Sequence, residues 1–230
     1  MLLLGFIFAM LISPFVPCAN SQSVRLGFKI GVRPTGEVSD SVVSERFPKG
    51  EFQQDSWIDD ESRPLAFGPT IQFQLPVRMS VEAGVLYRTV TLLSTTHTYE
   101  NNPVPGNPFT FNLRLTRHIH AKSIEVPTML RLSLSDELLR PFVGTGYVYR
   151  RLLDPTVEIP GNPQFVRPFA LTEHSNHGVP VTAGVELKTR FFRISPELRY
   201  TRWNRKIFAI PGSPDATNLN QIDLFLGLGF

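Results

Sequence analysis

Cysteine is nearly absent from this chain, since Cys18 is the only one among 230 residues. If the chain is cut beyond that position, the mature protein holds neither a thiol nor a disulfide. Charged residues make up 19% of the sequence, below the roughly 25% of an average soluble protein. The formal net charge is +3, and the basic residues are dispersed along the chain, so no nucleic-acid partner is expected.

A helical period is also missing, apart from the apolar N-terminus. The run MLLLGFIFAMLISPFV is short for a transmembrane helix and is interrupted by proline. In the following PCANSQS, the small residues Ala19 and Ser21 fit the pattern that a signal peptidase requires. We therefore expect a signal peptide over 1–21 and an exported domain over 22–230, with a short anchor helix as the alternative. The residues before Cys18 do not form a lipobox.

Alternation of apolar and polar residues dominates the rest of the chain. In VRLGFKIGVR, one face carries apolar side chains and the other carries charged residues and glycine. This period of two predicts β-strands, and the scattered prolines and glycines indicate turns and loops. Eight stretches follow the pattern: 24–33, 65–75, 79–88, 124–134, 141–150, 179–188, 192–203 and 222–230.

The connections between these strands alternate in length. Three residues join the second strand to the third and the sixth to the seventh, whereas about thirty join the first to the second. Bacterial outer-membrane barrels show this asymmetry, with short periplasmic turns and long extracellular loops. We therefore predict an all-β, eight-stranded antiparallel up-and-down transmembrane β-barrel in the outer membrane, with outer-membrane lipid as a partner.

The orientation of the two strand faces distinguishes a membrane barrel from a soluble one. The apolar face points inward in a soluble barrel and outward, toward lipid, in a membrane barrel. Here the polar face is rich in glycine, which the crowded interior of a narrow barrel requires and an exposed strand surface does not. This pattern favours a membrane barrel. A soluble exported ligand-binding β-barrel is the alternative.

Charged residues on the polar face are expected to pair inside the barrel, because unpaired charge there would be costly. The interior of an eight-stranded barrel is just wide enough for its side chains, so we predict a plugged lumen and no general pore. The same face also carries Arg33. The predicted lumen charge network consists of Arg25, Lys29, Glu82, Arg88, Glu125, Arg131, Glu186, Arg193, Glu197, Arg199 and Asp223.

Several segments resemble a known family. RPFVGTGYVYR, GVPVTAGVELKTR and ISPELRYTRWN, with the exported N-terminus and the eight strands, resemble the OmpA/OmpX-type outer-membrane β-barrel domain family over 22–230. In that family, a terminal Phe after alternating apolar residues is an insertion signal for the barrel assembly machinery. The resemblance implies that machinery as a partner, with the signal formed by Leu224, Leu226, Leu228 and Phe230.

Catalytic candidates are weak. TEHSNHG places His174 beside Ser175, and lipid A 3-O-deacylases, which are also eight-stranded barrels, use His and Ser in an H-x-S-N pattern. Adjacent residues of a strand point to opposite faces, so these two side chains cannot share a proton directly. A lipid-modifying outer-membrane enzyme therefore remains an alternative function.

Neither a metal nor a cofactor is expected. His118 and His120 would share a strand face without an evident third ligand, and the acidic residues within 55–61 lack the spacing of a calcium loop. The long connections carry aromatic residues and prolines, and loops on a rigid scaffold are a usual place for recognition. The favoured function is a structural or surface-interaction role, with an unidentified extracellular ligand at the loops.

Overall fold

The computed structural model describes residues 23–38, 41–46, 52–60, 65–100, 112–160, 162–168, 173–207 and 217–230. The expected signal peptide over 1–21 lies outside these residues. Among the described residues, no helix is both long enough and apolar enough to cross a membrane. The strands found there are β1 (Val24–Val32), β2 (Ser41–Arg46), β3 (Phe52–Asp60), β4 (Leu65–Gln74), β5 (Met79–Gly84), β6 (Leu86–Glu100), β7 (Asn112–Ser133), β8 (Leu139–Ile159), β9 (Asn162–Pro168), β10 (Ser175–Lys188), β11 (Arg193–Trp203) and β12 (Asn220–Gly229).

The strands form one antiparallel sheet that closes on itself. The ring runs β1, β4, β5 with β6, β7, β8, β10, β11 and β12, and it returns to β1 through pairs such as Ile30 with Leu226. β5 and β6 are successive parts of one barrel strand, because both pair with β4 on one side and β7 on the other. Counted in this way, the described ring has eight strands, which confirms the predicted all-β up-and-down barrel.

Prolines in the two neighbouring strands explain the interruption between β5 and β6. Val85 lies opposite Pro69 of β4 and donates its N–H to the Pro69 oxygen at 3.1 Å. The register of β5 with β7 places Gly84 opposite Pro127. Proline has no N–H, so a ladder hydrogen bond is missing on each side. Both prolines lie within segments that the sequence predicts as strands, 65–75 and 124–134.

An apolar belt covers the outside of the barrel. Its members come from all eight barrel strands and are 37–64% exposed. Soluble proteins rarely expose apolar patches larger than a few hundred Å², and such a surface is stable against lipid, so the barrel is transmembrane. The belt includes Leu26, Phe28, Ile30, Phe67, Phe73, Val85, Val126, Leu130, Leu132, Val143, Tyr147, Val179, Val181, Leu198, Leu224, Leu226 and Leu228.

Four barrel strands extend beyond the predicted segments, toward the long connections. β6 reaches Glu100, β7 begins at Asn112, β8 reaches Ile159 and β10 begins at Ser175. The hairpin of β2 and β3 pairs with β6, and β9 pairs with β8. The sheet is therefore taller on this side than the lipid-facing part requires.

Side-chain polarity reverses along these extensions. On β7, Leu130 and Val126 point outward and Glu125 is buried inside the barrel. Nearer the start of the same strand, Ile119 is buried inside and His120 points outward. Apolar side chains that point outward, as near the short turns, suit lipid. Apolar side chains that point inward, as near the long connections, are the ordinary arrangement of a protein in water. An upper core of buried apolar residues results, formed by Val38, Val90, Leu92, Ile119, Ala121, Leu152 and Ile207.

Gly146 lies at a close approach of β7 and β8. A Cβ atom at this position would lie 2.0 Å from the backbone oxygen of Thr128. Backbone atoms cannot yield as a flexible side chain does, so we expect Gly146→Ala to lower the free energy of unfolding by about 1–3 kcal/mol. Gly229→Ala is the control, because the nearest atom to a Cβ there is 3.9 Å away. Urea unfolding in detergent micelles measures both, and equal midpoints for the two variants would contradict the prediction.

Candidate functional site: the barrel interior and its outer mouth

A lower network of charged side chains lies inside the barrel, on the half nearer the short turns. Lys29 contacts Glu82, and its Nζ lies 2.6 Å from Glu197 Oε2. Arg131 Nη1 lies 2.6 Å from Glu82 Oε2, and Arg199 Nη2 lies 2.8 Å from Glu197 Oε1. All five side chains are buried. Each charge thus faces an opposite charge instead of water, as buried ions require.

An upper network occupies the half of the lumen nearer the long connections. Asp223 accepts hydrogen bonds from Arg33 Nε at 2.9 Å and from Arg88 Nη2 at 2.7 Å. Glu125 Oε1 lies 3.1 Å from Arg150 Nε and 3.2 Å from Arg33 Nη2. Its three arginines and three carboxylates balance in charge, and all are buried. The members are Arg33, Glu37, Arg88, Glu125, Arg150 and Asp223.

Glu37 reaches the upper network from a segment that follows β1 and folds into the barrel mouth. Val38 forms an antiparallel bridge with Thr217, which anchors this segment. The Glu37 carboxylate accepts hydrogen bonds from Arg150 Nη1 and from Gln221 Nε2, both at 2.8 Å. Sequence analysis missed this residue, because no alternation of hydrophobicity marks the segment.

The charge state of Glu37 follows from its neighbours. Burial alone would raise the pKa of its carboxyl, but Arg150 and Arg33 outweigh burial and lower the pKa to about 2. A carboxyl with a lowered pKa stabilises the fold above its unfolded pKa of about 4.3 and loses that contribution as the pH falls through its folded pKa. We therefore expect the Glu37 carboxylate to stabilise the fold fully from neutral pH down to about pH 4. This contribution should be lost between about pH 4 and pH 2.

Trp203 offers the measurement for this prediction. Its Nε1 donates to Gln221 Oε1 at 2.5 Å, next to the Glu37 carboxylate. In a Trp57→Phe background, the tryptophan emission should stay constant to about pH 4 and change below it. Glu37→Gln should remove the change in that window. A transition centred above about pH 5 in the Trp57→Phe protein would contradict the prediction.

The remaining predicted network residues lie at the short-turn end of the barrel. Arg193 Nη1 lies 2.7 Å from Glu186 Oε1, and both side chains are largely buried. Arg25 lies at the same end and is partly exposed. The structure thus brings the predicted residues to the interior, and it adds Glu37 and Arg150, with Arg33 at the centre of the upper network.

The structure does not bring the two catalytic candidates together. His174 is exposed just before β10, and Ser175 is the first residue of that strand. Within the described part of the chain, no hydrogen bond joins their side chains. His177 lies on the outer surface instead, where its ring contacts Tyr147 and Tyr149.

His118 and His120 on β7 are the histidine pair that the sequence suggested as weak metal ligands. The rings of His118 and His120 lie side by side, with centroids 6.3 Å apart. In the described ranges, no group of three or more His, Cys, Asp or Glu residues has an arrangement that would hold a metal ion.

Outward tyrosines mark the level at which polarity reverses. Tyr149 on β8 is followed on the same face by Arg151, and Tyr200 on β11 is followed by Arg202. Tyr87 on β6 is likewise followed by Thr89. An aromatic ring between an apolar belt and polar residues is typical of a membrane–water interface.

Comparisons with known proteins give structural neighbours only. No family model matches the sequence, and no curated protein matches it. Among solved structures, the chain is similar to Neisserial surface protein A, with 11% identity over 91% of this chain and 98% of that chain and a TM-score of 0.43. It is also similar to the outer membrane protein OprG from Pseudomonas aeruginosa, with 13% identity, 90% and 94% coverage and a TM-score of 0.45. A third neighbour is Ail, the attachment invasion locus protein of Yersinia pestis, with 10% identity, 90% and 97% coverage and a TM-score of 0.43.

Identities and scores at this level give no basis for transferring a function from these proteins. The resemblance to the OmpA/OmpX-type family therefore stays a prediction.

Proposed function

We propose that the protein is an outer-membrane β-barrel that is closed to solutes and that carries a folded cap for surface interactions. The cap consists of the extensions of β6, β7, β8 and β10 with β2, β3 and β9. The observation that carries this proposal is the reversal of polarity. The same sheet exposes apolar side chains near the short turns, as lipid requires, and polar side chains near the long connections, as water requires. The apolar belt has outer-membrane lipid as its partner, and the segment 1–21 serves export.

The lumen is closed by its own side chains. Both charge networks are buried, and the upper core lies above them. An eight-stranded barrel leaves little space beyond its side chains. Purified protein in planar lipid bilayers should therefore give no steady ion conductance, and a stable open channel would contradict this part of the proposal.

The cap is the part suited to recognition. Its strands continue the hydrogen-bonded ladder of the barrel, with fourteen register pairs between β6 and β7, so it holds the connecting loops on a rigid base. Trp57 on β3 lies beneath the Arg114 guanidinium of β7, which is 5.7 Å from the ring centroid. Ser175 begins β10 and His174 directly precedes it, and neighbouring residues along a strand point to opposite faces, which favours this role over the lipid-modifying enzyme.

Epitope tags test the location and the direction of the chain. One tag is placed within 101–111, between β6 and β7, and a second within 135–138, between β7 and β8. In intact diderm bacteria, an antibody should reach the first tag, and it should reach the second only after the outer membrane is permeabilised. The reverse pattern would overturn the orientation. Recovery of the protein in the soluble fraction would favour the soluble exported barrel.

A further inference from the structure

Basic residues form an arc on the outer surface of the barrel, directly above the outward tyrosines. Arg151 is the next outward residue after Tyr149 on β8, and Arg202 is the next after Tyr200 on β11. Both arginines are exposed. The strand between them, β10, contributes a histidine opposite Tyr149, and β7 contributes a lysine where its outward face ceases to be apolar. The basic arc consists of Lys122, Arg151, His177 and Arg202.

The basic arc has no opposite charge of its own. In the part of the chain that the structure describes, no carboxylate lies within ion-pair distance of Lys122, Arg151 or Arg202. Arg202 Nη1 donates instead to the neutral side chain of Asn220, at 2.6 Å. Asp154 follows on β8 at a bulge in the register with β7 and forms no ion pair with the arc. Positive charge on this surface is therefore available to an anionic partner.

The level of the arc on the barrel decides what these charges meet. Tyr149 and Tyr200 lie where the apolar belt ends, and lipid headgroups lie directly above the hydrocarbon layer. An arginine at this level can lay its apolar stem along the belt and keep its guanidinium among the headgroups. Guanidinium groups bind phosphate oxygens in pairs. Arg151 and Arg202 belong to strands separated only by β10, so their strands lie roughly 10 Å apart, within the reach of neighbouring headgroups.

We propose that the basic arc binds the phosphate groups of lipid headgroups in the outer leaflet. This inference rests on the proposed location of the barrel and adds the class of lipid that its surface prefers. Arg151 and Arg202 bind phosphate oxygens, and His177 between them adds a hydrogen-bonding group. The flanking strands carry neutral residues next to the arc, Thr89 on β6 and Asn220 on β12. The preference for phosphate is therefore confined to one side of the barrel.

Unfolding in vesicles of two compositions tests this inference. The chain 22–230 is folded into vesicles of phosphatidylcholine alone and into vesicles that also contain phosphatidic acid, at the same ionic strength. The urea midpoint should be higher with phosphatidic acid, because a lipid that binds only the folded state stabilises it. The difference should shrink as salt is added, since salt screens the attraction. Inorganic phosphate added to the phosphatidylcholine vesicles should give no such rise, which distinguishes a headgroup from a free ion.

Single substitutions locate the effect. Arg151→Gln and Arg202→Gln should each weaken the binding of phosphatidic acid about fivefold, and the difference between the two urea midpoints should fall accordingly. Arg114→Gln is the matched control, because it removes the same charge from another exposed position. Arg114 lies eight positions beyond Lys122 on β7, roughly 26 Å along the strand and away from the headgroups. This variant should keep the midpoint difference of the parent protein.

Arginine NMR signals provide a second measurement on the parent protein itself. In nanodiscs, phosphatidic acid should shift the Nε–Hε signals of Arg151 and Arg202 and leave that of Arg114 unchanged. The inference is overturned if these two signals do not move, or if Arg151→Gln and Arg114→Gln respond alike.

The outcome in vesicles separates this inference from the proposed function. Insertion into both kinds of vesicle with equal urea midpoints would overturn the lipid preference and leave the barrel in place. Stabilisation by inorganic phosphate equal to that by phosphatidic acid would also overturn it. Failure to insert into either kind of vesicle would overturn the proposed function, and this inference with it.

Discussion

Asp223→Asn should lower the free energy of unfolding by about 3–5 kcal/mol, the usual effect of removing one partner from a buried ion pair. The Asp223 carboxylate binds Arg33 through Nε at 2.9 Å and Nη2 at 3.0 Å, and Arg88 through Nη2 at 2.7 Å. The substitution would leave three positive charges against two negative ones in a buried group. Urea unfolding in lipid vesicles, followed by tryptophan fluorescence, measures the loss.

An exposed ion pair provides the control for this variant. Asp136 Oδ2 lies 2.5 Å from Arg78 Nε, and both side chains are more than half exposed. Asp136→Asn should therefore change the free energy of unfolding by less than about 1 kcal/mol. Adding Arg88→Met to Asp223→Asn should restore part of the lost stability, because it returns the buried group to equal numbers of positive and negative charges. Similar small losses for both Asn variants would contradict the role assigned to burial.

Leu226→Arg should destabilise the barrel in lipid vesicles by about 2–4 kcal/mol, as expected for a cation facing the centre of a bilayer. Leu226 points outward from β12 and is 42% exposed. Its register partners are Ile30 on β1 and Pro196 on β11. The substitution places a positive charge between apolar residues of both neighbouring strands.

Thr89→Arg is the matched variant above the belt. Thr89 also points outward, but it follows Tyr87 on β6, beyond the proposed interface. A charge there can reach water, so the expected loss is about 0–1 kcal/mol. Equal losses at the two positions in vesicles would contradict the assigned depth. If Leu226→Arg does not lower the free energy of unfolding, the soluble exported barrel would be favoured instead.

The lower half of the fold could be predicted from sequence because one pattern marks it. Outward apolar residues alternate with inward charges and glycines, so both the strands and their faces are visible. The extensions were missed because the pattern changes sign there. Along β7, for example, the outward Lys122 and His120 replace the leucines and valines that mark the belt.

Contacts inside the barrel were less accessible to sequence analysis. Alternation identifies inward charges, but it does not tell which of them meet, and Arg33 meets Asp223 across 190 positions of the chain. Arg150 ends the predicted strand 141–150, and the sequence gives no sign that it meets Glu37 and Glu125 inside the barrel. Glu37 depends on a segment that folds back into the mouth, and only tertiary structure reveals this.

The seam between β1 and β12 has a consequence for how the molecule assembles. The ring closes by joining strands from opposite ends of the described chain, so its last ladder forms only when the strands between them are in place. Contacts this distant in sequence make folding slow, because chain entropy is lost before they contribute. Until closure, Lys29 of β1 and Glu197 of β11 are not held together. Closing the seam therefore also completes the ion pair between Lys29 and Glu197, which links the two ends of the sheet inside the lumen.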